Sequence, residues 1–406
     1  MENFRITFEV KKGEAKFCRG EQCAFLSKFD GKNLTIQLTY DFRETPLTLQ
    51  AEANEGDSVS ITVRPYRIEC RVNGALTDEE WPVGSIDIQS DSVSVGDYCL
   101  KVEEIAPENA DTAPDYIRRG IRTDEIRMPG VNIGDCIPFS DDRGVQGDGL
   151  YHLFYLYDRH HHRSKWGFGA HQWAHVSTRD LRTWDEHPMA IAVTEQYEGS
   201  ICTGSVGFLD GKYYAWYAIR MSDRSPARMT YAVSKDSVHF KKTNKYFTLP
   251  AQYEPTSARD PKVVFLDGKV HLFITTTLLS TGNGCLAHLV SDHADMSDFT
   301  DCGPIFEHEN KDQPECPDWF KMGTYYYLVY SIRGSARYLV SKKPFSEWNA
   351  PEDNTIPCGY VPKSATLNGR RIFSGFVNEG GYAGHLVMAE ARQNADGTLQ
   401  FTDLEA

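Results

Sequence analysis

Two features predict an all-β chain. Period-two alternation runs through residues 1–106, and five spaced copies of a tight turn feeding an aromatic strand follow residue 131. Together they predict a small N-terminal β-sandwich over 1–106, a linker over 107–130 and a five-bladed β-propeller over 131–406.

The sandwich is read from its alternating runs. Phe4–Val10, Leu34–Tyr40 and Val59–Val63 place apolar residues at every second position, and Ser85–Ile88 and Val93–Val95 add shorter pieces. Asp30-Gly31 and Asn73-Gly74 mark turns between strands. No titratable cluster occurs here, so packing, or oligomerisation through this sandwich, is the role left to it. Pro107, Pro114, Gly120, Pro129 and Gly130 punctuate the polar linker that follows.

The propeller is read from its repeat. Gly147–Tyr155, Asp210–Tyr217, Asp267–Phe273, Gly323–Tyr330 and Asn368–Gly375 are the five turn-plus-strand copies. Each leads to a second recurring strand: Trp173–Ser177, Met229–Ser234, Leu286–Ser291, Arg337–Ser341 and His385–Ala389. A lone copy would mean only a hairpin, whereas copies in order mean blades.

Composition narrows the partner. With 57 acidic against 43 basic side chains the formal charge is −14, the wrong sign for nucleic acid. No apolar run approaches the roughly 18 residues that cross a membrane, and Met1–Thr7 lacks the apolar core of a secretory signal. A cytoplasmic protein with neither a nucleic-acid nor a membrane partner is expected. Ten cysteines without Cys-x-x-Cys spacing are expected to be reduced thiols, mostly buried.

The chemistry sits just before the repeated hairpins. Asp135 precedes the first, Asp260 the third and Glu315 the fourth, and the second is preceded by Cys202-Thr203-Gly204-Ser205. The expectation is that the three acids occupy equivalent positions on their strands and converge. Paired carboxylates at one centre are what glycosidic cleavage needs, one to trap or stabilise an oxocarbenium-like cation and one to protonate the leaving oxygen. The run Asp158-Arg159-His160-His161-His162-Arg163, with His171 and His175 beyond it, is read as pocket lining or a solvated loop, since adjacent histidines rarely converge on one ion. No cofactor and no metal are called for.

These motifs resemble glycoside hydrolase family 32, the invertases, levanases and inulinases. Arg259-Asp260-Pro261 resembles that family's Arg-Asp-Pro, and Glu315-Cys316-Pro317-Asp318 its Glu-Cys-Pro-Asp. Thr203-Gly204-Ser205 is similar to its Phe-Ser-Gly region. Tyr151–Tyr155 with Trp173, Asp180 and Trp184 resembles its first blade, and Tyr360–Ser364 with Gly369–Ile372 its fifth. The resemblance implies Asp135 as nucleophile, Asp260 as transition-state stabiliser and Glu315 as acid/base. Arg259, Trp173, Ser205, Thr203, His171, Trp166, Trp319 and Lys363 are the implied substrate-binding residues. It implies a retaining, exo-acting β-fructofuranosidase-like hydrolase on a small oligosaccharide. The alternatives are an inverting arabinofuranosidase or xylosidase, a fructosyl-transferring enzyme, and a sugar-binding propeller without turnover. Two departures stand out. Gly134-Asp135-Cys136 replaces the family's Asn-Asp-Pro, and the sandwich precedes the propeller instead of following it.

Overall fold

The structure, a computed structural model, describes residues 3–39, 46–64, 68–80, 86, 88–89, 91–106, 118–127, 131–141, 143, 146–158, 171–195 and 197–404. Among them there are strands and one 3-10 turn but no α-helix. Two compact units emerge, one built on the described residues up to 106 together with those of Val193–Gly199, and one on the remaining described residues from 118 onward.

The first unit has two five-stranded antiparallel sheets. One runs Lys101–Glu104, Phe4–Glu9, Ser58–Val63, Ile68–Val72, Ala75–Glu80, and the other Leu47–Glu52, Asn33–Leu38, Gln22–Phe29, Gly13–Arg19, Val93–Gly96. Alternation explains the burial. Phe4, Ile6 and Phe8 from one sheet share a core with Phe25, Ile36 and Leu38 from the other. Of the expected Ser85–Ile88 strand only Ile86 and Ile88 fall within the described residues, and both are buried.

The second unit is a series of antiparallel meanders. The first is Asn132–Ser140, Tyr151–Asp158, Gln172–Thr178, Thr183–Glu186, and the second Glu198–Leu209, Lys212–Met221, Arg228–Ser234, Lys241–Phe247. The third is Arg259–Leu266, Lys269–Leu278, Asn283–Ser291, Thr300–Glu307, and the fourth Glu315–Met322, Tyr325–Ile332, Ser335–Ser341. The fifth is Tyr360–Leu367, Arg370–Asn378, Gly384–Gln393, Leu399–Leu404. The repeated Asx-Gly pairs are their hairpin turns. Asp210-Gly211, Asp267-Gly268 and Asn368-Gly369 hold both central residues at positive φ, between 50° and 77°. That left-handed pair matches the strand twist and is tolerated best by Asp or Asn followed by Gly.

Two expectations change. Within the stretch read as linker, Arg118–Arg122 is a strand paired with Thr183–Glu186, and the Trp184 indole N–H donates to Thr123 at 3.1 Å. Cys18 and Cys23 are disulfide-bonded across the hairpin of the first unit, so they are not reduced thiols. Spacing alone hid this, because the two face each other only once the hairpin forms. The other eight cysteines are free, with Cys70, Cys136, Cys285, Cys316 and Cys358 buried and Cys99 and Cys302 exposed.

Candidate active site

Each acid lies on the first strand of its meander, beside a β-bulge. The pairing shifts between Ile133 and Cys136, between Arg259 and Lys262, and between Glu315 and Asp318. A bulge re-aims side chains at a strand end, which is why such positions serve sites. The three acids are nonetheless not in equivalent register, contrary to expectation. Glu315 is the last residue paired before its bulge, Asp260 the first residue within its bulge and Asp135 the second. Asp260 and Cys316, each the first residue within the bulge of its own strand, both take positive φ, 54° and 49°.

These offsets bring side chains from four strands to one place. Carboxylate oxygens of Asp135 and Asp260 and the Cys316 sulfur lie within 4.8 Å of one another. Cys316 donates its backbone N–H to Asp260 at 3.1 Å and sets its thiol 3.5 Å from Asp135 and 3.7 Å from Asp260. Thr203 donates to Asp135 Oδ2 at 2.5 Å. Arg259 donates to Glu315 at 2.9 Å and to Gln313 at 2.6 Å, with its Nε 3.7 Å from Asp260. The guanidinium therefore joins two of the three acids.

Exposure separates the acids. The Glu315 side chain is 35% exposed and that of Asp260 4%. Burial pushes the Asp260 carboxyl up to about 6, with the Asp135 and Glu315 charges adding to it and Arg259 and Lys363 opposing. Burial, and then Asp135 and Asp260, push the Cys316 thiol well above its ordinary range, so it stays a neutral S–H donor.

Several expected sugar contacts turn out to be framework. Ser205 is buried, donates to the Pro261 carbonyl at 2.9 Å and accepts the Val263 N–H at 2.7 Å, which staples the second meander to the third. Lys363 is buried, and its ammonium donates to the Gly204 carbonyl at 2.6 Å instead of facing outward. Trp173 is fully buried and its indole N–H is taken by the Cys202 carbonyl at 2.9 Å, leaving no open face for a ring to stack on. Trp319 packs against Phe345 and Tyr326 and donates to the Pro344 carbonyl at 2.8 Å. His171 is buried against Asp158 at 2.6 Å, its ring centroid 5.6 Å from that of Tyr382. Trp166 and His160–His162 lie outside the described residues.

One residue escaped the sequence reading. Tyr382, in the turn before the third strand of the fifth meander, donates its hydroxyl to Asp135 Oδ1 at 2.7 Å and accepts the Asp135 N–H at 3.1 Å. Its only local signal is a lone polar-tipped aromatic in the run Gly380-Gly381-Tyr382-Ala383-Gly384.

Known proteins are similar to this chain. Residues 142–372 match the Glycosyl hydrolases family 32 N-terminal domain, a stretch that includes Asp260 and Glu315 and begins just after Asp135. A sucrose-6-phosphate hydrolase of Bacillus subtilis is 30% identical over 152 residues, covering 36% of this chain and 30% of that protein. The structure of sucrose-6-phosphate hydrolase from Lactobacillus gasseri superposes with a TM-score of 0.57 at 18% identity, covering 73% of this chain and 65% of that one. Fructan 1-exohydrolase IIa from Cichorium intybus, solved with 1-kestose, gives 0.55 at 19% identity, covering 71% and 60%. The matched stretches thus span less than two thirds of each of these proteins.

Proposed function

The chain belongs to glycoside hydrolase family 32, and from that premise we propose that it is a retaining, exo-acting hydrolase of a small β-fructofuranoside. The observation that carries this reading is the meeting of Asp135, Asp260 and the Arg259-held Glu315 at one centre. Asp135, with a hydroxyl donor on each oxygen, is the nucleophile that attacks the anomeric carbon. Glu315, more exposed than Asp260, gives its proton to the leaving oxygen and then takes one from the water that releases the sugar. Asp260, buried and fixed by the Cys316 N–H, stabilises the positive charge that builds on the sugar ring.

The architecture offered with this function is a five-bladed propeller over 131–406 with an N-terminal sandwich over 1–106. Contacts between successive meanders support a closed ring. Thr203 reaches Asp135, Ser205 reaches Pro261, Cys316 reaches Asp260, Ser364 reaches Asp318, and Gly384 pairs with Ile133.

The test is a panel of sucrose, sucrose 6-phosphate, 1-kestose and nitrophenyl furanosides, with proton NMR of the first-formed anomer. Retention of configuration on a fructoside, lost in Glu315→Gln, is expected. An inverted first product would overturn the nucleophile assignment, and no turnover on any furanoside would overturn the reading itself.

A further inference from the structure

Asp135 has no side chain beside it on its N-terminal flank, because residue 134 is glycine. The space is not wasted. A Cβ built on Gly134 would sit 2.7 Å from the Tyr382 hydroxyl, closer than such atoms pack. Gly134 and Tyr382 are therefore fitted to each other, across 248 residues of chain. The hydroxyl seated there touches Asp135 twice, accepting its N–H at 3.1 Å and donating to its Oδ1 at 2.7 Å.

We propose that Tyr382 is a positioning residue for Asp135, clamping backbone and carboxylate of the same residue so that one rotamer is held and Oδ1 keeps a donor. This rests on the reading of Asp135 as nucleophile. Three facts carry it. The clamp closes a ring through one residue, so the Asp135 side chain cannot turn without breaking a bond. Thr203 holds the other oxygen at 2.5 Å, so the pair fixes the carboxylate plane. Burial, and then the Asp135 charge, push the phenol well above its ordinary range, so it remains protonated and able to donate.

The test uses the full chain and an epoxide-bearing fructoside that alkylates the attacking carboxylate, with the modified residue located by mass spectrometry. Asp135 should be labelled in the wild type. Tyr382→Phe should slow labelling and turnover about tenfold, the loss expected for one hydrogen bond to a charged group. The turnover loss should fall on kcat with KM little changed, as for a group that acts through Asp135. Gly134→Ala, which displaces the hydroxyl, should reproduce both effects and add little to Tyr382→Phe. If the wild type is labelled at Asp135 but Tyr382→Phe reacts at the same rate, or loses turnover through KM alone, the clamp is wrong. If Asp135 is not labelled in the wild type, the nucleophile reading fails and the clamp with it.

Discussion

Asp260→Asn should make the protein more stable at neutral pH while removing its activity. Folding carries this carboxyl from 3.8 to about 6, chiefly through burial. A raised carboxyl costs nothing while it is protonated in both states. The cost grows as pH rises through the unfolded value and is complete above the folded one. At about 1.4 kcal/mol per unit the full cost is roughly 3 kcal/mol. About 1 kcal/mol is already present at pH 4.5, so about 2 kcal/mol develops between pH 4.5 and 7.5. Asparagine does not ionise, yet its Oδ1 can still accept the Cys316 N–H that now bonds Asp260 at 3.1 Å. The difference between variant and wild type should thus move by about 2 kcal/mol in favour of the variant across that pH range. Urea unfolding followed by tryptophan fluorescence at the two pH values measures it. A difference that stays constant with pH would refute the reasoning, because the cost would then not be that of ionisation. Turnover should fall by on the order of a hundredfold or more, since in the proposed mechanism the lost charge acts on the transition state.

Other outcomes follow from the same geometry. Asp318 is buried, 2.6 Å from the partly buried Lys262 and bonded to the N–H and hydroxyl of Ser364, so Asp318→Ala leaves the Lys262 ammonium and the Ser364 N–H without their acceptor and should cost about 3 kcal/mol in urea unfolding. Gly204→Ala would place a Cβ 1.8 Å from the Trp216 carbonyl oxygen, and the variant should lose its cooperative thermal transition in circular dichroism. His288 is pushed down from 6.5 to about 4 by burial and then by His271, so its contribution is present above pH 6.5 and is lost as pH falls. It should account for about 2.5 kcal/mol of the stability lost between pH 7.5 and 4.5, and His288→Phe should show that much less pH dependence in the same assay. Arg259→Lys keeps the charge but not the fork that spans Glu315 and Gln313, so steady-state kinetics should show kcat falling about tenfold or more.

The sequence was legible where structure is local. Asp210-Gly211, Asp267-Gly268 and Asn368-Gly369 announce hairpins because only a few residue types accept two successive left-handed conformations. Burial in the first unit follows the alternation of Phe4, Ile6 and Phe8, because a strand has period two. Ser205, Lys363 and Trp173 read as ligands because the motifs that hold them resemble those of the family. Whether a flanking polar group faces a sugar or a neighbouring strand depends on a partner that sequence does not place beside it.

The sequence by itself determined that this chain is built of strands, where its turns fall and which acids precede which hairpin. Those properties are set by residues a few positions apart. Only the tertiary structure decided that Asp135, Asp260 and Glu315 meet from three different register positions. It alone decided that Arg259 holds Glu315 and that Tyr382 fills the space left by Gly134. These contacts join residues tens to hundreds of positions apart, and a one-residue bulge on each strand decides which side chain turns toward the centre.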